Sequence, residues 1–267
     1  MEEDSTAGDG PPLVDGPWLR TLETRAADAS GLLVCLDFDG TLAPIVAAPD
    51  DATMRPENRA LLRRLADEPA ATVAVVSGRS LPDLRDRVGV EGVHYAGNHG
   101  LELAVDGDRR VPPAVQRTQP ALEHVVDRLR AELDDVTGCL VEDKTYTATV
   151  HVRQTPTERR PGVLATVQAV VESVDGLETS DGKAIVEIRP DVEVGKGRVV
   201  ERLVDREPAR LPLFVGDDVT DEDGFAVVAD HGTGVLVGDR ADTAASVRVP
   251  GPEGVTLLLD WLADRCV

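Results

Sequence analysis

Two aspartates stand two residues apart in Asp37-Phe38-Asp39-Gly40-Thr41-Leu42, directly after the apolar run Leu32–Leu36. Phosphoryl transfer through a covalent intermediate needs one carboxylate placed for in-line attack and a second acid to protonate the leaving alkoxide. The spacing suits Asp37 as nucleophile and Asp39 as proton donor. Gly40 and Thr41 then let backbone N–H groups approach the phosphate oxygens. Taken alone, Asp-x-Asp-Gly also reads as a turn, because both residue types are common there. The weight lies in what other segments add.

Three of them end apolar runs or open helices. Ser77-Gly78-Arg79 follows Thr72–Val76. The Ser77 hydroxyl and the Gly78 N–H suit a phosphate oxygen at a helix N-terminus, although capping a helix is the commoner use of such a serine. Lys196, between Gly195 and Gly197, begins a helical pattern where its ammonium can neutralise the attacked phosphate and the charge on Asp37. Asp217-Asp218-Val219-Thr220-Asp221-Glu222 follows Leu211–Val215. So many acids in one turn repel one another unless a cation or full solvation relieves them. Asp37, the backbone carbonyl of Asp39 and Asp217 make an oxygen shell suited to Mg2+, with Asp218 the next candidate. Asp221 and Glu222 read as acids favoured by the dipole at a helix start.

The elements that must position these residues follow an α/β rhythm. Buried strands are predicted at Leu32–Leu36, Thr72–Val76, His94–Gly97, Leu211–Val215 and Gly234–Val237, alternating with helices after Pro56, at Leu81–Val88, Gly195–Leu203 and Gly254–Ala263. That alternation predicts a parallel sheet with crossover helices and chemistry at the carboxyl ends of the strands. Between 112 and 190 the rhythm changes to helix Gln119–Leu133, strands Cys139–Glu142 and Thr145–Val152, helix Pro156–Ser173, and strands near Leu177 and at Ala184–Ile188. An α+β cap over 112–190 is therefore expected to interrupt a core of 18–111 and 191–267, after an acidic, loose arm over 1–17.

Composition narrows the function classes. The 49 acidic residues against 28 basic ones, a formal net charge of −21, argue against nucleic acid or an anionic membrane as partner. Only three of the bases are lysines, Lys144, Lys183 and Lys196, which gives each one weight. An acid-rich, lysine-poor surface is expected of a protein working in concentrated salt, which screens its self-repulsion. No apolar run approaches a membrane span and the first thirty residues lack a basic-then-apolar leader, so a cytoplasmic protein is expected. Cys35, Cys139 and Cys266 form neither a disulfide framework nor a zinc cluster.

Together the four strand-end motifs resemble the haloacid-dehalogenase phosphatases. The resemblance covers residues 1–111 and 191–267. It implies a Rossmann-like core, an aspartyl phosphate on Asp37, Asp39 as general acid and then base, Ser77 and Lys196 on the phosphate, and Mg2+ as cofactor. Within that superfamily, Gly216–Glu222 with Asp37–Pro44 is similar to the trehalose-6-phosphate phosphatase family. So are Gly97-Asn98-His99-Gly100, Glu142-Asp143-Lys144 with His151-Val152-Arg153, and Gly182-Lys183 with Glu187-Ile188-Arg189-Pro190. This likeness implies a phosphorylated disaccharide as substrate, with Asn98, His99, Glu142, Lys144, Lys183, Glu187 and Arg189 facing it, and a functional pairing with a trehalose-6-phosphate synthase.

In so acidic a chain the three lysines, Arg79, Arg189 and the metal are expected to form a local positive pocket, with the cap closing over it. His151 reads as a strand residue beside Arg153 without a role. Thr145-Tyr146 departs from the family's pattern, where smaller residues are expected. The competing readings are a phosphatase for sucrose 6-phosphate or a phosphorylated glycerate derivative, and a catalytically silent regulatory homologue. A flavodoxin-like phospho-acceptor is disfavoured by the large cap, since an acceptor must leave its aspartate open to a protein donor.

Overall fold

The computed structural model describes residues 10–46, 49–182 and 184–266. In chain order the elements are α1 (Gly16–Asp28), β1 (Leu32–Leu36), α2 (Pro56–Ala66), β2 (Ala71–Val76), α3 (Leu81–Val88), β3 (His94–Gly97), β4 (Glu102–Val105) and β5 (Asp108–Arg110). Next come α4 (Pro113–Leu133), β6 (Leu140–Asp143), β7 (Ala148–His151), α5 (Arg160–Glu172), β8 (Leu177–Gly182) and β9 (Ile185–Pro190). The chain closes with α6 (Lys196–Arg206), β10 (Leu211–Gly216), α7 (Glu222–Val228), β11 (Thr233–Val237), β12 (Val247–Val249) and α8 (Pro252–Arg265). Two compact units result: the described residues up to Arg109 together with those from Val194, and the segment Arg110–Glu193.

The first unit is built on an eight-stranded sheet in the order β12-β11-β10-β1-β2-β3-β4-β5, parallel throughout from β12 to β3. All five residues of β1 are buried because helices cover both faces. Leu32, Val34 and Leu36 pack with side chains of α1, α2, α3 and α8, while Leu33 and Cys35 face those of α6 and α7. Burial pushes the Cys35 thiol up to about 12, which makes it a core residue without reactivity. The strand order reverses at β1, where β10 lies on one side and β2 on the other, which is where such sheets open a crevice at their carboxyl ends.

Three short strands were not foreseen from the sequence. β4 pairs antiparallel with β3, β5 continues that edge, and β12 extends the parallel edge. Residues 11–14 correct the expectation of a loose arm: Val14 N donates to Arg248 O at 2.9 Å, and Arg248 N to Pro12 O at 2.9 Å. The open edge of β12 has backbone groups that require partners, and the chain before α1 supplies them. Residues 1–9 of that arm lie outside the described residues.

The second unit is a four-stranded antiparallel sheet, β6-β7-β9-β8, carrying α4 and α5 on one face. Ala148, Val150, Val186 and Ile188 pack against Val125, Leu129, Val163 and Val167 of those helices. Strand alternation therefore turns Glu142, Thr149 and Glu187 to the opposite face. Among the described residues no helix is long and apolar enough to cross a membrane.

Candidate active site

The carboxyl ends of β1, β2 and β10 hold the motif residues. Asp37 follows the last residue of β1, and its N–H donates to Val215 O of β10 at 2.9 Å, which carries the strand pairing one residue beyond β1. Its side chain is almost wholly buried. Lys196, at the first position of α6, reaches back to place Nζ 2.8 Å from Asp37 Oδ1 and 2.8 Å from Asp221 Oδ1. Burial works against the ammonium, but the carboxylates of Asp37 and Asp221 outweigh it and hold Lys196 above the ordinary lysine value.

Asp221, which the sequence suggested only as a helix-start acid, belongs to this buried cluster. It is fully buried, and its Oδ2 accepts from both Asp217 N and Asp218 N at 3.0 Å. Both of its oxygens are thus engaged, one by the ammonium and one by the backbone of the acidic turn. Its position four residues after Asp217 was the available signal: a carboxylate there folds back onto the N–H groups at the strand end.

Asp37, Asp217 and Asp221 bring carboxylate oxygens within 4.8 Å of one another. Three carboxylates around one ammonium leave two negative charges uncompensated in a buried place. Burial, and after it the nearby acids against the opposing pull of Lys196, raises Asp37 well above the usual carboxylate range. Asp217 is pushed up to about 7, chiefly by burial and then by Asp221. A divalent cation fits this surplus, and with Asp221 fully engaged the oxygens suited to it are those of Asp37 and Asp217. Gly40 makes room for that arrangement: its φ is +85°, and a methyl group there would come within 2.1 Å of Asp217 Oδ2. Thr41, wholly buried, donates from Oγ1 to Asp217 Oδ1 at 3.5 Å.

Asp39 points elsewhere. Arg79 binds it through two hydrogen bonds, Nε to Oδ2 and Nη2 to Oδ1, both 2.7 Å. Its Nη1 donates to Asp83 Oδ2 at 2.8 Å, and the guanidinium lies 5.3 Å from the Phe38 ring centroid. Arg79 was expected on the substrate; in this structure it holds two carboxylates. The Asp39 side chain is therefore turned to Arg79 rather than to the carboxylate cluster, and only its backbone carbonyl remains as the expected metal contact.

Ser77, almost wholly buried, sits beside Gly78 and the turn Asn98–Gly100. Asn98 N donates to Arg79 O at 2.7 Å and His99 N to Ser77 O at 2.9 Å, which laces the two loops together. Asn98 and His99 have φ of 48° and 55°, two consecutive non-glycine residues in the left-handed region. The His99 ring occupies the space above Gly78, where a Cβ would fall 2.5 Å from Nε2. Asn98, expected to face the substrate, is fully buried and donates to Glu102 Oε2 at 2.8 Å. Glu102, which the sequence did not single out, also accepts from Leu81 N at 3.1 Å and Arg109 Nη2 at 2.7 Å. It anchors this turn to the start of α3.

In the second unit, Lys144 lies in the β6–β7 turn, its N–H donating to Thr147 O at 2.9 Å. Thr145, the residue that departs from the family pattern, has φ of 72° and donates from N to Asp143 Oδ1 at 2.8 Å. Glu142 and Glu187 lie in register on either side of Thr149. Arg189 is paired with Glu178, Nε to Oε1 at 2.7 Å. Lys183 lies outside the described residues.

A parallel sheet covered on both faces, with an inserted α+β unit and an aspartate pair after its central strand, is the architecture of the haloacid-dehalogenase-like hydrolases. Such a hydrolase from Bacteroides thetaiotaomicron shares the fold at TM-score 0.59 and 15% identity, over 86% of this chain and 98% of that one. The chain belongs to the trehalose-phosphatase family, whose model matches residues 35–251. The trehalose-phosphate phosphatase of Mycobacterium marinum is 38% identical over 243 residues, which span 87% of this chain and 61% of that relative. The chain thus spans about three fifths of the length of the mycobacterial relatives it matches. The C-terminal domain of Candida albicans trehalose-6-phosphate phosphatase superimposes with TM-score 0.79 at 24% identity, over 97% of this chain and 99% of that one.

Proposed function

We propose that the chain hydrolyses trehalose 6-phosphate to trehalose and phosphate through an aspartyl phosphate on Asp37. The observation that carries this reading is the buried pairing of Lys196 with Asp37, 2.8 Å apart, in a chain of the trehalose-phosphatase family. A carboxylate oxygen of Asp37 attacks phosphorus as the bond from phosphorus to the sugar oxygen breaks, and Asp39, once one of its oxygens has left Arg79 and taken up a proton from solvent, gives that proton to the sugar oxygen. Asp39 then takes a proton from water as the water oxygen attacks phosphorus, which frees phosphate and restores Asp37. Lys196 stays charged throughout and offsets the negative charge that gathers between phosphate and carboxylate. Ser77 and the Gly78 N–H would hold the phosphate oxygens; the N–H groups of Gly40 and Thr41, expected there from the sequence, instead donate within the loop, to Ala43 O at 2.7 Å and Phe38 O at 3.4 Å.

Mg2+ is the cation that fits hard oxygen donors beside a phosphate. Asp37, Asp217 and the Asp39 carbonyl would hold it, and it would supply charge neutralisation and polarisation of a phosphoryl oxygen. In the second unit, Glu142, Lys144, Lys183 and Glu187 are assigned to the sugar hydroxyls. The surface composition supports operation in concentrated salt, where screening relieves a net charge of −21.

Phosphate release should be measured from trehalose 6-phosphate, sucrose 6-phosphate and glucose 6-phosphate, with Mg2+ or EDTA, in dilute and molar salt, for wild type and Asp37→Asn. Metal-dependent release chiefly from trehalose 6-phosphate, lost in Asp37→Asn and strongest in molar salt, is expected. Equal release from all three would remove the disaccharide assignment, and no release under any condition would favour a silent regulatory homologue.

A further inference from the structure

The antiparallel register of the second unit puts Glu142 of β6, Thr149 of β7, Glu187 of β9 and Ser180 of β8 in one line across the sheet. This line lies on the face turned away from α4 and α5. His151 stands two residues after Thr149 and so shares that face. Its Nε2 lies 2.8 Å from Glu142 Oε2, a diagonal pairing between neighbouring strands. An ionised carboxylate only accepts, so Nε2 carries the hydrogen. The sequence assigned this histidine no role.

A second observation points the same way. Among the described residues the Thr149 hydroxyl, in the middle of the line, is buried without a hydrogen-bond partner. Proteins rarely leave such a group unpaired, because its desolvation goes uncompensated. With Glu142 on one side and Glu187 on the other, the line offers carboxylate acceptors around a hydroxyl that can donate or accept. Those are the groups that match the adjacent hydroxyls of a sugar ring. A flexible glutamate serves such a site only if its carboxylate is held, since fixing its rotamers otherwise costs binding energy.

Resting on the reading of the substrate as trehalose 6-phosphate, we propose that His151 is a specificity-determining positioning residue. It fixes the Glu142 carboxylate beside Thr149, so that the line Glu142, Thr149, Glu187 receives sugar hydroxyl groups. His151 touches the carboxylate and not the reacting phosphate, so its effect falls on recognition of the sugar.

The test compares wild type, His151→Val, His151→Gln, Glu142→Gln and the double variant His151→Val/Glu142→Gln on trehalose 6-phosphate and on p-nitrophenyl phosphate, which has no sugar. Valine suits a strand and lacks the donor, whereas glutamine keeps an N–H donor. In His151→Val the KM for trehalose 6-phosphate should rise about tenfold, the size of one well-placed hydrogen bond, with kcat little changed. The ratio of kcat/KM for the sugar phosphate to that for p-nitrophenyl phosphate should fall by about the same factor. His151→Gln should keep most of that ratio, and the double variant should be no worse than Glu142→Gln alone. An unchanged ratio in His151→Val, or an equal fall on both substrates, would overturn the proposal. Wild type that turns over p-nitrophenyl phosphate but not trehalose 6-phosphate would instead overturn the substrate reading, and this inference with it.

Discussion

Arg79 holds both oxygens of the Asp39 carboxylate, Nε on Oδ2 and Nη2 on Oδ1, each at 2.7 Å, and so sets where the second aspartate of the motif stands. The planar fork of guanidinium matches a carboxylate in a way that a lysine ammonium cannot. Arg79→Lys is therefore expected to behave as a loss: kcat on a sugar phosphate should drop roughly 100-fold, the lower end of what a placed general acid contributes. The drop on p-nitrophenyl phosphate should be smaller, since nitrophenolate leaves without a proton. Equal losses on both substrates would show that Arg79 serves the phosphate and not Asp39.

Asp221 holds Lys196 from one oxygen and the backbone of Asp217 and Asp218 from the other. Asn in its place leaves a buried ammonium with one carboxylate and loosens the acidic turn. Asp221→Asn should lower stability by about 3–5 kcal/mol, the cost of breaking a buried pair, and lower kcat by roughly 100-fold. Thermal unfolding and steady-state kinetics read the two effects. Asp218, whose side chain is not in the carboxylate cluster, should tolerate Asn with far less loss of stability.

The metal-free protein should lose stability as pH rises from about 5 to about 8. Asp217 titrates near 7, raised by burial and then by Asp221, and Asp37 is raised by burial and the neighbouring acids. The unfolded chain releases those protons near pH 4. Between the two values the native state binds more protons than the unfolded one, so the stabilisation is complete below the unfolded value and is lost as pH rises through the native one. The slope is at most about 1.4 kcal/mol per pH unit for each proton. Melting curves in EDTA across this range should show the decline, and Mg2+ should flatten it by favouring the ionised carboxylates. A flat curve in EDTA would mean that the three acids are not crowded as described.

Thr145 has φ of 72° in the turn between β6 and β7, a conformation in which a β-branched residue is strained and glycine is not. Thr145→Gly should raise stability by about 1 kcal/mol, or about 2–4 °C in Tm for a chain of this size. Calorimetry of the two proteins decides it. A lower Tm would show that the Asp143 and Lys144 backbone contacts depend on the threonine itself.

Much of the core was legible because its strands are covered on both faces. Leu32–Leu36 and Leu211–Val215 read as continuous apolar runs, and β1 and β10 stand on them. β12 was not legible: three residues, Val247–Val249, give no period, and it becomes a strand only by pairing with β11 and with the chain before α1. In the same way Pro11–Val14, acidic and proline-bearing in their surroundings, carried no signal that Arg248 would hold them.

The sequence by itself determined which residue types end each strand, and hence that Asp37, Ser77, Lys196 and Asp217 would gather where β1, β2 and β10 stop. Strand period and parallel pairing make that a local property of the chain. Only the tertiary structure decided what each side chain touches: that Arg79 turns to Asp39, 40 residues away, that Lys196 bridges Asp37 and Asp221 across 159 and 25 residues, and that Asn98 is spent on Glu102. Such contacts depend on separations of a few tenths of an ångström between segments far apart in sequence. They are set by packing and by the need of every buried charge for a partner, and neither is written in the spacing of residues along the chain.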